Sequence, residues 1–81
     1  MMIRKEIIER IKELDLKVLR WQVYNNIWND LKYKYGITEE EFQIEINRMV
    51  EEGTLVPLKQ KSNYMDYKIN YEQLSNNSEI E

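Results

Sequence analysis

A short stretch near the C-terminal end, Lys59-Gln60-Lys61-Ser62-Asn63-Tyr64, combines side chains that suit contact with nucleic acid. Lysine ammonium groups neutralise phosphates, and an exposed tyrosine can stack on an unpaired base. The same stretch can equally be read as a solvated turn with ordinary surface lysines. The candidate nucleic-acid contacts, extended to nearby cations, are Lys59, Lys61, Asn63, Tyr64, Lys68, Arg20 and Lys32.

The residues needed for most enzyme chemistry are missing from the 81-residue chain. It contains no cysteine and no histidine, which excludes thiolate and imidazole metal sites, disulfides, cysteine nucleophiles and histidine-based triads. Gly36 and Gly53 are the only glycines, so no glycine-rich phosphate loop can form. Carboxylates are plentiful, but none lies in a pattern that predicts a shifted pKa. We therefore expect no catalysis, no cofactor, no metal and no small-molecule substrate.

Composition and length indicate one small globular domain. Hydrophobic residues make up 42% and charged residues 33% of the chain. No apolar run approaches the roughly 18 residues that a membrane-spanning helix needs. The N-terminal residues Met1-Met2-Ile3-Arg4 do not begin a long apolar segment followed by a small-residue cleavage site. The sequence therefore predicts a cytoplasmic protein without a membrane partner.

Charge is distributed unevenly along the chain, although the net charge is only −3. Residues 1–37 carry eight Lys or Arg against five Asp or Glu, and residues 53–71 carry three Lys against one Asp. Residues 38–52 carry six Glu against a single Arg. The excess acid thus lies in one predicted helix and in the C-terminal tail, while the remainder is mildly basic.

Two helices are predicted in the N-terminal half. Ile3, Ile7, Ile8, Ile11 and Leu14 form one apolar stripe, which predicts a helix over about 2–14. A second helix is predicted over about 17–35, with a broad apolar and aromatic arc. We expect the arc to face the core; it contains Leu19, Trp21, Val23, Tyr24, Ile27, Trp28, Leu31 and Tyr35. Residues 15–18 fit either a short strand or the cap of this helix.

The third helix has the clearest boundaries. Thr38 is a suitable N-cap, and Glu41 three residues later completes a capping box. Three glutamates in the first turn suit the positive end of the helix dipole. The expected core residues are Phe42, Ile46, Met49 and Val50, and Gly53 marks the end. Wheel geometry then leaves Ile44 exposed, opposite Phe42 and Ile46.

A β-hairpin is predicted after the third helix. Residues 54–60 form the first expected strand, in which Pro57 requires an edge or a bulge. In residues 65–71 apolar and polar side chains alternate, which is typical of a half-buried strand. Residues 72–81 are polar, and we expect a frayed tail. The predicted domain therefore covers residues 1–71.

The order of these elements resembles the winged helix-turn-helix superfamily. Two segments carry the resemblance, Tyr35-Gly36-Ile37-Thr38-Glu39-Glu40-Glu41-Phe42 and Met49-Val50-Glu51-Glu52-Gly53-Thr54-Leu55-Val56. The resemblance implies an α+β fold in which three helices precede a two-stranded wing. It also implies that the third helix reads bases and that Lys59, Lys61 and Lys68 contact phosphates. Glu39, Glu40 and Glu41 argue against this use of the third helix, because carboxylates repel phosphates.

Two binding functions follow from these patterns. In the first, the chain is a small regulatory protein that binds double- or single-stranded nucleic acid through its basic wing and second helix. In the second, it is an adaptor or inhibitor that binds a protein around exposed Ile44. The polar and nearly uncharged face of the second helix, with Gln22, Asn25, Asn26, Asn29 and Tyr33, is a second candidate surface, for self-association. The candidate protein contacts are Ile44, Gln43, Asn47, Arg48, Asn25 and Asn29.

Overall fold

Helices and a three-stranded antiparallel sheet form an α+β domain in the computed structural model, which describes residues 3–58 and 65–78, with side chains as far as Leu74. The elements in chain order are α1 (Ile3–Glu13), β1 (Val18–Leu19), α2 (Trp21–Tyr35), α3 (Glu39–Glu51), β2 (Leu55–Leu58), β3 (Asp66–Ile69) and α4 (Tyr71–Ser78). The α+β class is as predicted. Within the described ranges, none of the helices combines the length and the apolar character needed to cross a membrane.

The core lies where the first three helices meet one face of the sheet. Helix α1 contacts α2, α3 and α4, and α3 contacts β2. The buried side chains of the core come from all four helices and all three strands named above. Burying such aliphatic side chains contributes roughly 1.5–3 kcal/mol each. The buried apolar residues are Ile7, Ile8, Ile11, Leu19, Ile27, Leu31, Ile37, Phe42, Ile46, Met49, Leu55, Ile69 and Leu74.

Helix α2 starts later than the sequence predicts. Residues Val18 and Leu19 form β1, and the helix begins at Trp21 instead of residue 17. Between α1 and β1 the chain turns at Asp15, which adopts a positive φ of 49°. The helix ends at Gly36, whose φ of 66° is left-handed and whose N–H donates to the carbonyl of Lys32.

Helix α3 has the predicted cap. The Thr38 hydroxyl accepts a hydrogen bond from the Glu41 N–H at 3.1 Å. In return the Thr38 N–H donates to the Glu41 carboxylate at 3.0 Å. These two bonds are the capping box expected from the sequence. They lower the pKa of Glu41, because the carboxylate accepts from a backbone N–H and is stabilised in its charged form.

The sheet has the strand order β1-β3-β2 and two unlike faces. Residues Val18, Lys68 and Val56 lie side by side across the three strands. Their neighbours Leu19, Leu55 and Ile69 point the opposite way and are buried. We call the face that carries Val18, Arg20, Val56, Leu58, Asp66 and Lys68 the outer sheet face. It points away from α3, because Leu55 and Ile69 on the opposite face share the core with Phe42 and Ile46 of α3.

Strand β2 is an edge strand, and Pro57 lies in it. The Asn70 N–H donates to the Thr54 carbonyl at 2.9 Å, so the pairs 56–68 and 58–66 are the hydrogen-bonded ones in this antiparallel ladder. The backbone at Leu55 and Pro57 therefore faces outward. Proline needs no partner for a missing N–H there, which agrees with the edge position predicted from the sequence.

The prediction of a frayed tail over 72–81 is wrong for residues 72–78, which belong to helix α4 (Tyr71–Ser78); residues 79–81 lie outside the described residues. Leu74 is fully buried, and α4 contacts α1. The Tyr71 hydroxyl donates a hydrogen bond to the carbonyl of Leu16. Leu74 is the one aliphatic residue among the polar residues of this helix, so the sequence shows little periodicity here; a helix this short depends on tertiary packing.

Candidate nucleic-acid and protein interfaces

Lys68 lies on the outer sheet face and is the only candidate wing cation within the described residues. It is exposed in the central strand β3, between Val18 and Val56. No carboxylate of a described residue forms an ion pair with it. Its ammonium group is therefore available to a phosphate. The other wing candidates, Lys59, Lys61, Asn63 and Tyr64, lie outside the described residues.

Arg20 is the N-cap residue of α2, and Lys32 lies within the helix. They differ in whether a carboxylate lies nearby to offset the positive charge. The Arg20 guanidinium lies 3.7 Å from a carboxylate oxygen of Asp66, on the outer sheet face. The other oxygen of Asp66 accepts the Trp21 N–H at 2.9 Å. Lys32 has no such carboxylate partner among the described residues and lies 5.9 Å above the ring of Trp28. Arg20 and Lys68 share a face, whereas Lys32 lies near the other end of α2.

The exposed side of α3 matches the prediction. Ile44 is 44% exposed, and Asn47 and Arg48 are exposed beside it. Residues Glu40, Ile44, Asn47 and Glu51 are spaced by four, three and four, so they follow one line along the helix; we call them the α3 stripe. Neither Glu40 nor Glu51 forms an ion pair with another described residue. The α3 stripe thus presents an apolar side chain between two carboxylates.

A chain of hydrogen bonds holds one side of the α3 stripe. The Tyr24 hydroxyl donates to Gln43 Oε1 at 2.6 Å, and Gln43 Nε2 donates to Asn47 Oδ1 at 3.0 Å. Burial raises the pKa of Tyr24 to about 12, with smaller contributions from Tyr67 and Glu39. Tyr24 therefore keeps its proton and remains a donor at neutral pH. These two hydrogen bonds fix the orientation of the Gln43 and Asn47 amides, so that the Asn47 amino group points away from Gln43.

An ion-pair network holds the other side of the α3 stripe. Arg4 of α1 donates to Glu45 at 2.7 Å and to Glu52 at 2.8 Å. Glu45 is only 9% exposed and also accepts from Arg48 at 3.3 Å. A buried carboxylate is costly unless it is paired, so Arg4 stabilises the packing of α1 on α3. Arg48, a candidate protein contact, is consequently paired with Glu45 and is not a free cation.

The polar side of α2 is less uniform than predicted. Asn29 and Tyr33 are exposed, whereas Asn25 is half-buried. Trp28 packs against the core, with its ring 5.6 Å from that of Phe42, as expected. The prediction that Trp21 belongs to the core is wrong, because it is 38% exposed in the first turn of the shortened helix. Tyr35 and Leu14, at the C-terminal ends of the predicted apolar segments, are also exposed, so they do not belong to the core as predicted.

A groove of about 420 Å³ lies between α1 and α2. Arg10 crosses one end, where it donates to Asp30 and to Glu6. The hydrogen bond from Arg10 lowers the pKa of Asp30, with the charges of Arg10 and Lys34 adding to the effect. Tyr35 also donates to Glu6, at 3.0 Å. The residues that line the groove are Arg10, Glu13, Leu14, Val23, Asn26, Ile27 and Asp30.

Sequence reasoning missed the residues that organise these surfaces. Arg4 and Glu45 are 41 positions apart, and only the packing of α1 on α3 brings them together. Tyr24 was expected in the core, and its hydroxyl partner on α3 has no signal in the sequence. Within residues 3–58 and 65–78, no group of three acidic side chains is arranged to hold a metal ion.

Comparisons of the chain with protein-family profiles, with curated proteins and with solved structures found no match.

Proposed function

We propose that this chain is a winged-helix protein that binds nucleic acid through its hairpin and not through its third helix. The winged-helix assignment is supported by the order of helix, strand, two helices and hairpin, together with the capped start of α3. A fold by itself does not determine function, and the proposed contact is therefore derived from the residues of the hairpin.

The observation that carries the proposal is the position of Lys68. It is exposed on the outer sheet face, without a carboxylate partner among the described residues. The strand that bears it follows the segment 59–64, whose sequence adds Lys59 and Lys61. A cation that has no ion-pair partner gains the most binding free energy on contact with a phosphate, since no internal ion pair has to be broken.

Helix α3 is a poor surface for phosphate. Glu39, Glu40 and Glu51 are exposed, and its single arginine is tied to Glu45. For unit charges about 4 Å apart, the repulsion between one of these carboxylates and a phosphate is about 1 kcal/mol in water and larger near a protein surface. A nucleic acid that approaches the outer sheet face avoids these groups, because that face points away from α3.

Salt dependence of binding tests the proposal. Affinity for labelled single-stranded and double-stranded DNA should be measured by fluorescence anisotropy over a range of salt concentrations. We expect affinity to fall steeply with salt, and Lys68→Ala to reduce the slope for duplex by about 0.9, the value for one lost phosphate contact. Lys59→Ala with Lys61→Ala should reduce it by about 1.8.

Matched variants on α1 are the control. Lys5→Ala and Lys12→Ala remove equally exposed lysines that have no ion pair with a described residue, but they lie on a different element. These variants should leave the slope unchanged. The proposal fails if neither form of DNA binds at low salt, or if the α1 variants weaken binding as much as the hairpin variants do.

A further inference from the structure

Two exposed apolar side chains lie on faces of opposite charge. Ile44 lies in the α3 stripe between Glu40 and Glu51, neither of which is ion-paired with another described residue. Val56, which is 42% exposed, lies beside Lys68 on the outer sheet face. One face therefore offers an apolar centre with carboxylates, and the other offers an apolar centre with a cation.

The outer sheet face is apolar beyond Val56 itself. Val18 and Leu58 are half-buried on the same face, and the aliphatic stem of Lys68 lies between Val18 and Val56. Arg20 adds a second positive charge, which Asp66 partly offsets at 3.7 Å. A side chain such as isoleucine can pack on this row while a neighbouring carboxylate reaches the ammonium group of Lys68.

The α3 stripe is held in place before any partner arrives. Tyr24 and Gln43 fix Asn47 on one side, and Arg4 and Glu45 fix Arg48 on the other. Side chains that are already ordered lose little conformational entropy on association. An apolar residue with an ordered polar border is the arrangement found at the centre of protein interfaces.

We propose that the α3 stripe of one copy docks on the outer sheet face of a second copy of this chain. Ile44 packs against Val56, and Glu40, one helical turn from Ile44, lies near Lys68 of the other copy. Two α3 stripes facing each other would instead bring like charges together, which disfavours a symmetric contact through α3. The contact therefore joins two different faces, so each copy can bind one neighbour on each side.

The contact centres on one exposed apolar side chain on each face, and we expect a weak association, with a dissociation constant on the order of 100 µM. Sedimentation velocity without nucleic acid, over a concentration series around that value, should show oligomers that grow with concentration. Added salt should reduce them, because the charges are exposed and screened.

Two neutral substitutions distinguish the faces. Ile44→Gln removes the apolar centre of the α3 stripe, and Val56→Gln removes that of the outer sheet face. Each variant alone should be monomeric at concentrations where the unmodified chain associates, with affinity reduced about tenfold. Mixed in equal amounts, the two variants should form a complex of two chains and no larger species, because one intact face of each kind remains.

The control is Leu14→Gln, which removes an exposed apolar side chain at the end of α1 and should leave association unchanged. Circular dichroism on heating should show that all three variants are folded. The proposal is overturned if the unmodified chain stays monomeric throughout the series, or if mixing the two variants does not restore association. It is also overturned if Leu14→Gln reduces association as much as Ile44→Gln.

Discussion

The hydroxyl of Tyr24 connects the core to the exposed side of α3. Its ring packs edge-on against Phe42, with the ring centres 5.1 Å apart, and its hydroxyl starts the hydrogen-bond chain to Gln43 and Asn47. Such a bond contributes about 0.5–1.5 kcal/mol to stability. The same side chain thus stabilises the α2–α3 packing and orders the polar border of Ile44.

Tyr24→Phe should lower the free energy of unfolding by about 0.5–1.5 kcal/mol at neutral pH, because the hydrogen bond to Gln43 is lost.

The same substitution should change how stability depends on alkaline pH. The pKa of Tyr24 is about 12 in the folded chain, against an ordinary value of 10.0 for a tyrosine in the unfolded chain. Between these values the folded state keeps a proton that the unfolded state has lost, so stability falls as pH rises through this range. Burial also raises the pKa of Tyr67, which adds to the fall. Tyr24→Phe should make the decline shallower in urea unfolding measured across pH 10 to 12.

Tyr33→Phe is the control for the effect at neutral pH, because Tyr33 lies on the same helix but is exposed. We expect it to leave the free energy of unfolding unchanged within about 0.5 kcal/mol. An unaltered alkaline decline in Tyr24→Phe would show that Tyr24 does not keep its proton as described.

Individual exposed residues were predictable where a single helix decides their position. Ile44 follows from the spacing of Phe42 and Ile46 alone, and the structure confirms its exposure. The exposure of Trp21 was not predictable, because it depends on where α2 begins. The partner of Glu45 was not predictable either, since Arg4 reaches it only through the packing of two helices. Local periodicity predicts the side of a helix on which a residue lies, whereas its contacts with distant residues depend on tertiary packing.

At the scale of elements, α4 shows how a weak local pattern becomes ordered by docking. Residues 71–78 are too few to form a stable helix alone. Leu74 is fully buried, and the Tyr71 hydroxyl bonds to the chain between α1 and β1. The sequence predicts the strong elements α1, α3 and the hairpin within a few residues. It leaves the strand near β1 as one of two alternatives for residues 15–18 and does not predict α4, because each element exists through a partner that is distant in the chain.

Leu74→Ala should destabilise the domain by about 2–5 kcal/mol, as expected when a buried leucine is truncated in a core. Urea unfolding followed by circular dichroism measures this change. Glu72→Ala, an exposed substitution on the same helix, should change the free energy of unfolding by less than about 0.5 kcal/mol. Equal effects of the two substitutions would contradict the docked position of α4.

At the scale of the whole molecule, Lys68 belongs to both proposed interfaces. A nucleic acid on the outer sheet face and a second copy docked on that face would compete for it. We expect a single-stranded oligonucleotide, short enough for one protein chain, to dissociate the oligomers seen by sedimentation velocity. Ile44→Gln, which does not self-associate, should bind the same oligonucleotide without a change of its own assembly state.

Competition also predicts a concentration effect. At protein concentrations where copies dock on one another, fewer hairpins are free, so the apparent affinity of the unmodified chain should fall below that of Ile44→Gln. An oligonucleotide complex that contains two docked chains on one short strand would show that the two sites are separate. Lys68 would then contact either the nucleic acid or the second copy, but not both.

The proline in β2 has a consequence for how copies of this chain can meet. Leu55-Val56-Pro57-Leu58 is an apolar edge strand, the kind of segment that recruits further strands and leads to insoluble aggregates. Pro57 removes the outward N–H that an incoming strand would need at this position. Backbone-mediated growth of a shared sheet is thereby hindered. Contact between copies is left to side chains, which salt or a competing ligand can reverse.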